Sequence, residues 1–223
     1  LFGPHIPFPT GTYSDDTQLR LSTSRAIRGD GYFDVESFAK VELPVWLNYA
    51  LGAGKGSKAA AANLCLREST WSQNFYQNGE CQYWTGGGNG AAMRIQPHVW
   101  LGHRTGPKSF IVDVVRNSIC THGHPRAIIG AAIHAQFLYQ ALATQQAVPP
   151  NDWTSIGEKA AEQAYESLVD DEELALVWIP NWEHLSGMSL REVWASTVLE
   201  WLDCVQKAQE YCSSNDAPEV SYR

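Results

Sequence analysis

The sequence predicts a compact, single-domain, all-α protein, and three observations support this prediction. Apolar residues recur at helical spacing along most of the chain. No stretch of useful length alternates between apolar and polar side chains, as a half-buried strand would. Hydrophobic residues make up 44% of the 223 positions and charged residues 18%, so one domain of this length can bury a sizeable core.

The first half of the chain predicts short helices around one long loop. Residues 69–88 are rich in polar residues and glycine and show no period, which is typical of a functional loop. Pro44 either kinks or restarts the helical region around it, and Pro97 interrupts a later one. The predicted helices are 15–27, 38–50, 58–65 and 91–101, and 110–119 is a further helix or a buried apolar run.

The second half predicts longer helices. Residues 127–142 form the clearest buried helix, because small and apolar residues cover one broad face. A proline-containing linker follows at 147–151, and Asp152 is expected to cap a helix that runs to about Leu168. The acidic run 170–173 is expected to be a solvated helix cap or loop. Ser189 and Glu192 form a capping box, which predicts a long helix over 190–211.

Charge and cysteine content narrow the class of protein. The net charge of −8 disfavours a sequence-independent nucleic-acid binder, which needs a basic face, but it does not exclude a small anionic ligand. The five cysteines are odd in number and never spaced as C-x-x-C, which favours free thiols in a reducing compartment. No run of 18 apolar residues and no signal peptide is found, so we expect no membrane partner and a cytoplasmic location.

Ser14-Asp15-Asp16-Thr17 forms the first motif that could carry chemistry. Two adjacent acids suit a hard divalent cation, and both can reach beyond a helix N-terminus if the helix starts there. The alternative is purely structural: Ser14 or Asp15 caps the helix, and acids favour the positive end of its dipole. The spacing alone leaves both interpretations open.

Four glycines lie within the five residues Gly86 to Gly90. Each glycine costs folding entropy, so such a cluster is usually kept where positive φ or close backbone approach is needed. We expect the apolar run from Ala91 to form a helix whose N–H groups point back at the loop, giving a cradle for an anion or nucleotide. A flexible loop before a helix is the alternative.

Two further segments are ambiguous in different ways. His122 and His124 can share a metal only in extended conformation, and Pro125 instead favours a turn that caps a helix. The segment 52–58 looks like a phosphate-binding P-loop, but its spacing is wrong and no strand precedes it. We interpret 52–58 as a helix break with exposed lysines and reject ATP binding there.

Taken together, three segments resemble the ADP-ribosylglycohydrolase family, which includes the dinitrogenase reductase-activating glycohydrolases. The family's hydroxyl-Asp-Asp-Thr motif matches residues 14–17, and its Gly-Asn-Gly-Ala-Ala-Met-Arg signature stands unaltered at residues 88–94. Its Thr-His-x-x-Pro turn matches Thr121, His122 and Pro125. The resemblance spans residues 11 to about 143, and the middle motif is highly specific.

The resemblance implies an orthogonal helical bundle around two divalent cations, Mg²⁺ or Mn²⁺. It also implies hydrolysis of ADP-ribose from a modified protein side chain or a related ADP-ribosyl compound. By matching positions, the metal ligands would be Ser14, Asp15 and Asp16, and Asp15 or Asp16 would accept the proton of the attacking water. The residues implied to contact ADP-ribose are Trp84, Thr85, Gly86, Gly87, Gly88, Asn89, Gly90 and His122.

Two departures from the family pattern leave a second hypothesis open. The family opens with a Glu-bearing helix and closes with an acidic Asp-x-Asp-Thr motif, and residues 150–223 contain no counterpart of the latter. We therefore expect one domain over 1–223, truncated at both ends relative to the family. The alternative to a hydrolase is a catalytically inactive member that binds ADP-ribose or has a structural, crystallin-like role.

Overall fold

The computed structural model describes residues 11–79, 81–105 and 107–213 and confirms the all-α prediction. A two-stranded antiparallel hairpin, β1 (Gln77–Asn78) and β2 (Cys81–Gln82), lies within the predicted loop. The described α-helices are α1 (Asp15–Arg25), α2 (Val35–Ser37), α3 (Leu43–Leu47), α4 (Lys55–Leu64), α5 (Gln96–Thr105), α6 (Pro107–Ile119), α7 (Pro125–Thr144), α8 (Trp153–Asp170), α9 (Ile179–Ser186) and α10 (Leu190–Ser213).

Helix α7 forms the centre of the bundle and packs against α5, α6, α8 and α10. Ala131, Ala132 and Ala135 are fully buried, and these small residues allow the neighbouring helices to approach closely. Helix α7 is also long and apolar enough to be a candidate membrane span, with a mean hydropathy of 1.2, and 44% of that window is buried inside the protein. Its packing among four helices accounts for its apolar composition.

Several predicted boundaries and caps are wrong, for local reasons. Helix α4 starts at Lys55, three residues before the predicted start. The predicted helix 91–101 begins as a short 3₁₀ turn, and α5 starts only at Gln96, which places Pro97 in its first turn. Asp152 makes no side-chain cap to α8, because a 3₁₀ turn precedes the helix and holds Asp152 in helical conformation. Residues 174–186, a π-helical turn leading into α9, were not predicted.

Other expectations are confirmed in detail. The Ser189 hydroxyl oxygen accepts a hydrogen bond from the backbone N–H of Glu192, and α10 begins between them. The five cysteines are free. Asp171 in the acidic run does cap a turn, since its carboxylate accepts from the N–H of Leu174. It is not solvated, however, because its side chain is 6% exposed and pairs with Arg116 at 2.6 Å.

The turn between α6 and α7 is fixed by aromatic side chains from distant parts of the chain. The fully buried Tyr83 donates from its hydroxyl to the carbonyl of Ile119 and accepts from the indole N–H of Trp178. Trp182 donates to the carbonyl of Gly123 at 2.7 Å. The backbone N–H of Gly123 in turn donates to the carbonyl of Tyr83 at 3.1 Å. These contacts hold the turn against the loop that follows β2.

Replacing Gly123 by alanine is expected to destabilise the protein by about 1–3 kcal/mol, the usual cost of overpacking. An added Cβ at Gly123 would lie 2.3 Å from the Tyr83 ring, which cannot move because its hydroxyl is hydrogen-bonded at both sides. Urea unfolding would measure the change. Gly29→Ala is the matched control, because a Cβ at Gly29 meets nothing within 4 Å. Equal stability of the two variants would contradict this packing.

Candidate functional site

Four segments that are far apart in sequence line one cleft of about 360 Å³. Asp15 contributes from the start of α1, and Ser57 from the first turn of α4. The hairpin and the glycine loop that follows it form a second wall, from Cys81 to Gly90. His122 contributes from the turn between α6 and α7. The cleft therefore brings together the three motifs on which the resemblance rests.

The acidic motif is placed as predicted, at the start of a helix, but its members face different surroundings. Asp15 is 9% exposed and lines the cleft. Ser14 and Asp16 are exposed beside it, and the Ser14 hydroxyl donates to the Asp16 carboxylate at 3.1 Å instead of capping α1. Burial, followed by the neighbouring charge of Asp16, raises the pKa of Asp15 above its usual value. Ionising Asp15 therefore costs more free energy than ionising an exposed aspartate.

Gln18 is a positioning residue that the sequence did not indicate. Its buried amide accepts from the Trp46 indole N–H at 3.0 Å and from the N–H of Leu51 at 3.2 Å. The carbonyl of Leu51 accepts from the N–H of Asp15 at 2.8 Å. Gly52 follows with φ +81, and an added Cβ there would lie 3.2 Å from the Asp15 carboxylate. The segment after α3 therefore packs closely against Asp15 and accepts a hydrogen bond from its backbone.

None of the glycines in the glycine loop lies in the left-handed region, so positive φ does not explain them. They instead allow other side chains to come close to the loop backbone. An added Cβ at Gly90 would lie 2.7 Å from the His122 ring and 2.9 Å from the Ser57 hydroxyl. The segment after the loop is a three-residue 3₁₀ turn, so the expected helix that points its N–H groups at the loop is wrong. The N–H groups of Gly88 and Asn89 have no acceptor among the described residues.

Arg94 joins the glycine loop to the histidine turn. It is fully buried and donates to the carbonyls of Gly90 and Asn117, to the Asn117 side chain and to the Thr121 hydroxyl, at 2.7 to 3.0 Å. Its guanidinium also lies 5.3 Å above the Phe38 ring. Burial lowers the pKa of Arg94 to about 10, so it stays charged at neutral pH. No carboxylate among the described residues pairs with it.

His122 is held as a neutral donor. Its Nδ1 lies 2.7 Å from the Thr121 hydroxyl, whose oxygen accepts from Arg94 and whose proton is available to Nδ1. When the hydroxyl donates to Nδ1, the hydrogen of the neutral His122 ring is on Nε2, the nitrogen on the side of the cleft next to Gly88. Burial and then the Arg94 charge lower the pKa of His122 to about 3. His122 can therefore donate a hydrogen bond to a ligand oxygen without titrating near neutral pH.

His124 has the structural role that its spacing favoured. Its Nδ1 accepts from the N–H of Arg126 at 3.0 Å, which makes it the N-cap of α7. The Arg126 guanidinium pairs with Glu200 at the protein surface. Neither of these groups contributes to the cleft.

The N-terminus of α4 was missed as part of the site. The N-cap of α4 is Gly54, which has no side chain to cap the first N–H groups of the helix. Gly54, Gly56 and Ser57 line the cleft. Ser57 is 4% exposed, and its hydroxyl has no hydrogen-bond partner among the described residues. Uncapped N–H groups at a helix start bind anions. The segment 52–58 is therefore more than a helix break with exposed lysines, because three of its residues line the cleft.

The remaining expected site residues divide between the cleft and its surroundings. Thr85, Gly86 and Gly87 line it, whereas Trp84 packs against the hydrophobic core. Ser14, Asp15 and Asp16 supply one hydroxyl and two carboxylates, the hard-oxygen groups that divalent cations prefer. Among the described residues no three His, Cys, Asp or Glu side chains cluster, so both expected cations stay predictions.

Comparison with known proteins agrees with the geometry. A family model described as ADP-ribosylglycohydrolase matches residues 1–219. No curated protein and no solved structure matches the chain.

The protein is expected to lose stability as the pH falls from 7 to 5. His98 and His122 are buried with pKa values of about 3, lowered by burial, whereas an unfolded histidine titrates near 6.5. Between these values only the unfolded chain binds the protons, so acid favours unfolding. Each histidine should contribute a loss of about 2 kcal/mol between pH 7 and 5. Asp113 opposes part of this loss, because burial raises its pKa to about 6 and the folded protein takes up that proton over the same range. Urea unfolding at both pH values would measure the net change.

The matched variants separate this effect from other titrations. His122→Gln should reduce the loss by about 2 kcal/mol, whereas His184→Gln, at an exposed position, should leave it unchanged. The same pH dependence in wild type and His122→Gln would contradict a neutral, buried His122.

Proposed function

The chain belongs to the ADP-ribosylglycohydrolase family, and from this membership we propose that it is a divalent-metal-dependent hydrolase of ADP-ribosylated protein side chains or related ADP-ribosyl compounds. The family acts on ADP-ribosylated substrates in general and generally depends on divalent metals. The observation that carries the proposal is the convergence of Asp15, the glycine loop and His122 on one cleft.

The diphosphate of ADP-ribose would bind between the glycine loop and the start of α4. Gly88 and Asn89, whose N–H groups have no acceptor among the described residues, line the cleft together with Ser57 in the first turn of α4. The Nε2 hydrogen of His122 supplies a further neutral donor. Backbone dipoles and neutral donors can hold an anion in a protein of net charge −8, because they need no basic surface.

The acidic end of the cleft would hold the reacting ribose. A divalent cation held by residues 14–16 would supply Lewis acidity and charge neutralisation there. Asp15 or Asp16 would accept the proton of the water that attacks the anomeric carbon. The positive charge that develops on the ribose in an oxocarbenium-like transition state would be stabilised by the same carboxylates. The backbone hydrogen bond to Leu51 and the close packing of Gly52 restrict the position of Asp15, whether it binds the cation or accepts the proton.

A second candidate function is a binder of ADP-ribose without turnover. The observation that favours it is the small number of carboxylates near the cleft, since no larger metal-binding cluster is found among the described residues. Such a protein would keep the diphosphate contacts of the cleft but would not need Asp15. The two candidates therefore differ in their dependence on the metal and on this carboxylate.

Calorimetry with ADP-ribose, with and without Mg²⁺, tests the proposal. We expect micromolar binding that Mg²⁺ strengthens, and loss of this strengthening in Asp15→Asn, which keeps the shape and removes the charge. Asp203→Asn is the control, because Asp203 is an exposed acid paired with Lys207 on α10, away from the cleft. Metal-independent binding that Asp15→Asn leaves unchanged would favour the non-hydrolytic binder. Absence of binding would contradict both candidates.

His122 is expected to contribute through its neutral Nε2 donor. His122→Gln keeps a side-chain N–H donor and should retain most of the affinity for ADP-ribose, whereas His122→Leu should lose about 0.5–1.5 kcal/mol, the usual net contribution of one hydrogen bond. Because the pKa of His122 is about 3, wild-type affinity should show no step near pH 6.5 from this residue. Equal affinities of the two variants would contradict the donor role.

A further inference from the structure

A second cavity of about 520 Å³ adjoins the candidate cleft along another face of α4. Both cavities are lined by Cys81 of β2. At the start of α4, residues 54, 56 and 57 line the cleft, whereas Lys55, Lys58 and two alanines line the second cavity. We call this second cavity the lysine groove; it is lined by Leu47, Lys55, Lys58, Ala59, Ala62, Asn78 and Cys81.

The two lysines lie where a helix usually places acids. Lys55 is the first residue of α4, Lys58 follows one turn later, and the first turn contains no acidic residue. Cations at this end oppose the helix dipole, so their placement costs local stability. Acids would be the stabilising choice there, and the lysines therefore point to a role outside folding.

Neither lysine of the groove forms an ion pair or a side-chain hydrogen bond within the part of the chain that the structure describes. By contrast, Lys40 donates to three backbone carbonyls at and after the end of α4, and Lys207 pairs with Asp203. Lys55 and Lys58 are exposed and form no ion pair with a described residue. They lie at i and i+3, so they are neighbours on the helix surface. The groove thus carries a local positive charge on a protein whose net charge is −8.

We propose that the lysine groove binds the polypeptide part of the substrate, specifically a segment with Asp or Glu residues beside the ADP-ribosylated side chain. This inference rests on the proposed function, in which the adjoining cleft holds ADP-ribose. Gly54, Gly56 and Ser57, which alternate in sequence with the two lysines, line the cleft together with Asp15. The groove therefore lies beside the part of the cleft where the bond to the modified side chain would lie. Acidic side chains of such a segment would pair with Lys55 and Lys58.

The groove favours an acidic polypeptide over a nucleic acid. Leu47, Ala59 and Ala62 give it an apolar floor, which suits aliphatic parts of a peptide. Two lysines can pair with two carboxylates, whereas a nucleic-acid backbone is usually bound by many more cations. The net charge of −8 would repel a polyanion over the rest of the surface.

The test compares ADP-ribosylated peptides that differ only beside the modified residue. One peptide carries Asp and Glu at the flanking positions, and the other carries Asn and Gln. Calorimetry at low salt is expected to give about fivefold tighter binding of the acidic peptide, since each exposed ion pair contributes modestly. The Lys55→Ala, Lys58→Ala double variant should bind both peptides equally. High salt should reduce the preference in wild type.

The ratio of the two affinities is the readout, so a general effect of the variant on the cleft cancels. Lys159→Ala, Lys207→Ala is the matched control, because it removes two positive charges from helices outside the groove and should keep the fivefold ratio. Equal affinities in wild type, or an unchanged ratio in the groove variant, would overturn the inference. Tighter binding of an ADP-ribosylated oligonucleotide than of the acidic peptide would also overturn it.

Free ADP-ribose separates this inference from the proposed function. If wild type binds free ADP-ribose but shows no preference between the peptides, the lysine groove is not the peptide subsite and the proposed function stands. If wild type binds neither free ADP-ribose nor either peptide, the proposed function fails and the inference fails with it.

Discussion

The buried guanidinium of Arg94 is the interaction on which the candidate site depends. It holds the carbonyl of Gly90, the backbone and side chain of Asn117, and the hydroxyl of Thr121. These partners belong to the glycine loop, to α6 and to the turn that carries His122. Burying a cation away from water costs desolvation free energy when no carboxylate pairs with it. For Arg94, hydrogen bonds to neutral acceptors and the contact with the Phe38 ring replace the lost hydration. Removing Arg94 would therefore remove hydrogen bonds from the glycine loop and from the turn that carries His122 at the same time.

The same arrangement explains how an acidic protein can bind an anion. The charge of Arg94 lies beneath the cleft and helps to keep His122 neutral, with its Nε2 donor on the cleft side. The start of α4 and the free N–H groups of Gly88 and Asn89 add partial positive charge. Asp15 adds a carboxylate to the lining of the same cleft. The cleft therefore combines donors suited to a diphosphate with an acidic group suited to a reacting sugar.

The helical fold and the three motifs were predictable because they depend on local patterns. Periodicity predicted α7 and α10, and Ser189 accepts one of the two hydrogen bonds of the predicted capping box. Ser57 could not be predicted, because it meets Gly90 only after the chain has folded. Gln18 is similar, since its role depends on contacts with residues near position 50. The Asp152 cap failed because the preceding turn already had helical conformation, which a sequence pattern does not encode.

A crystal structure of the complex with ADP-ribose and Mg²⁺ would locate the ligand in the protein. We expect the diphosphate between the glycine loop and the first turn of α4. Its oxygens should lie within hydrogen-bond distance of the Gly88 or Asn89 N–H and of His122 Nε2, with the ribose toward Asp15. A diphosphate bound outside this cleft, or an ADP-ribose that makes no contact with His122, would contradict it.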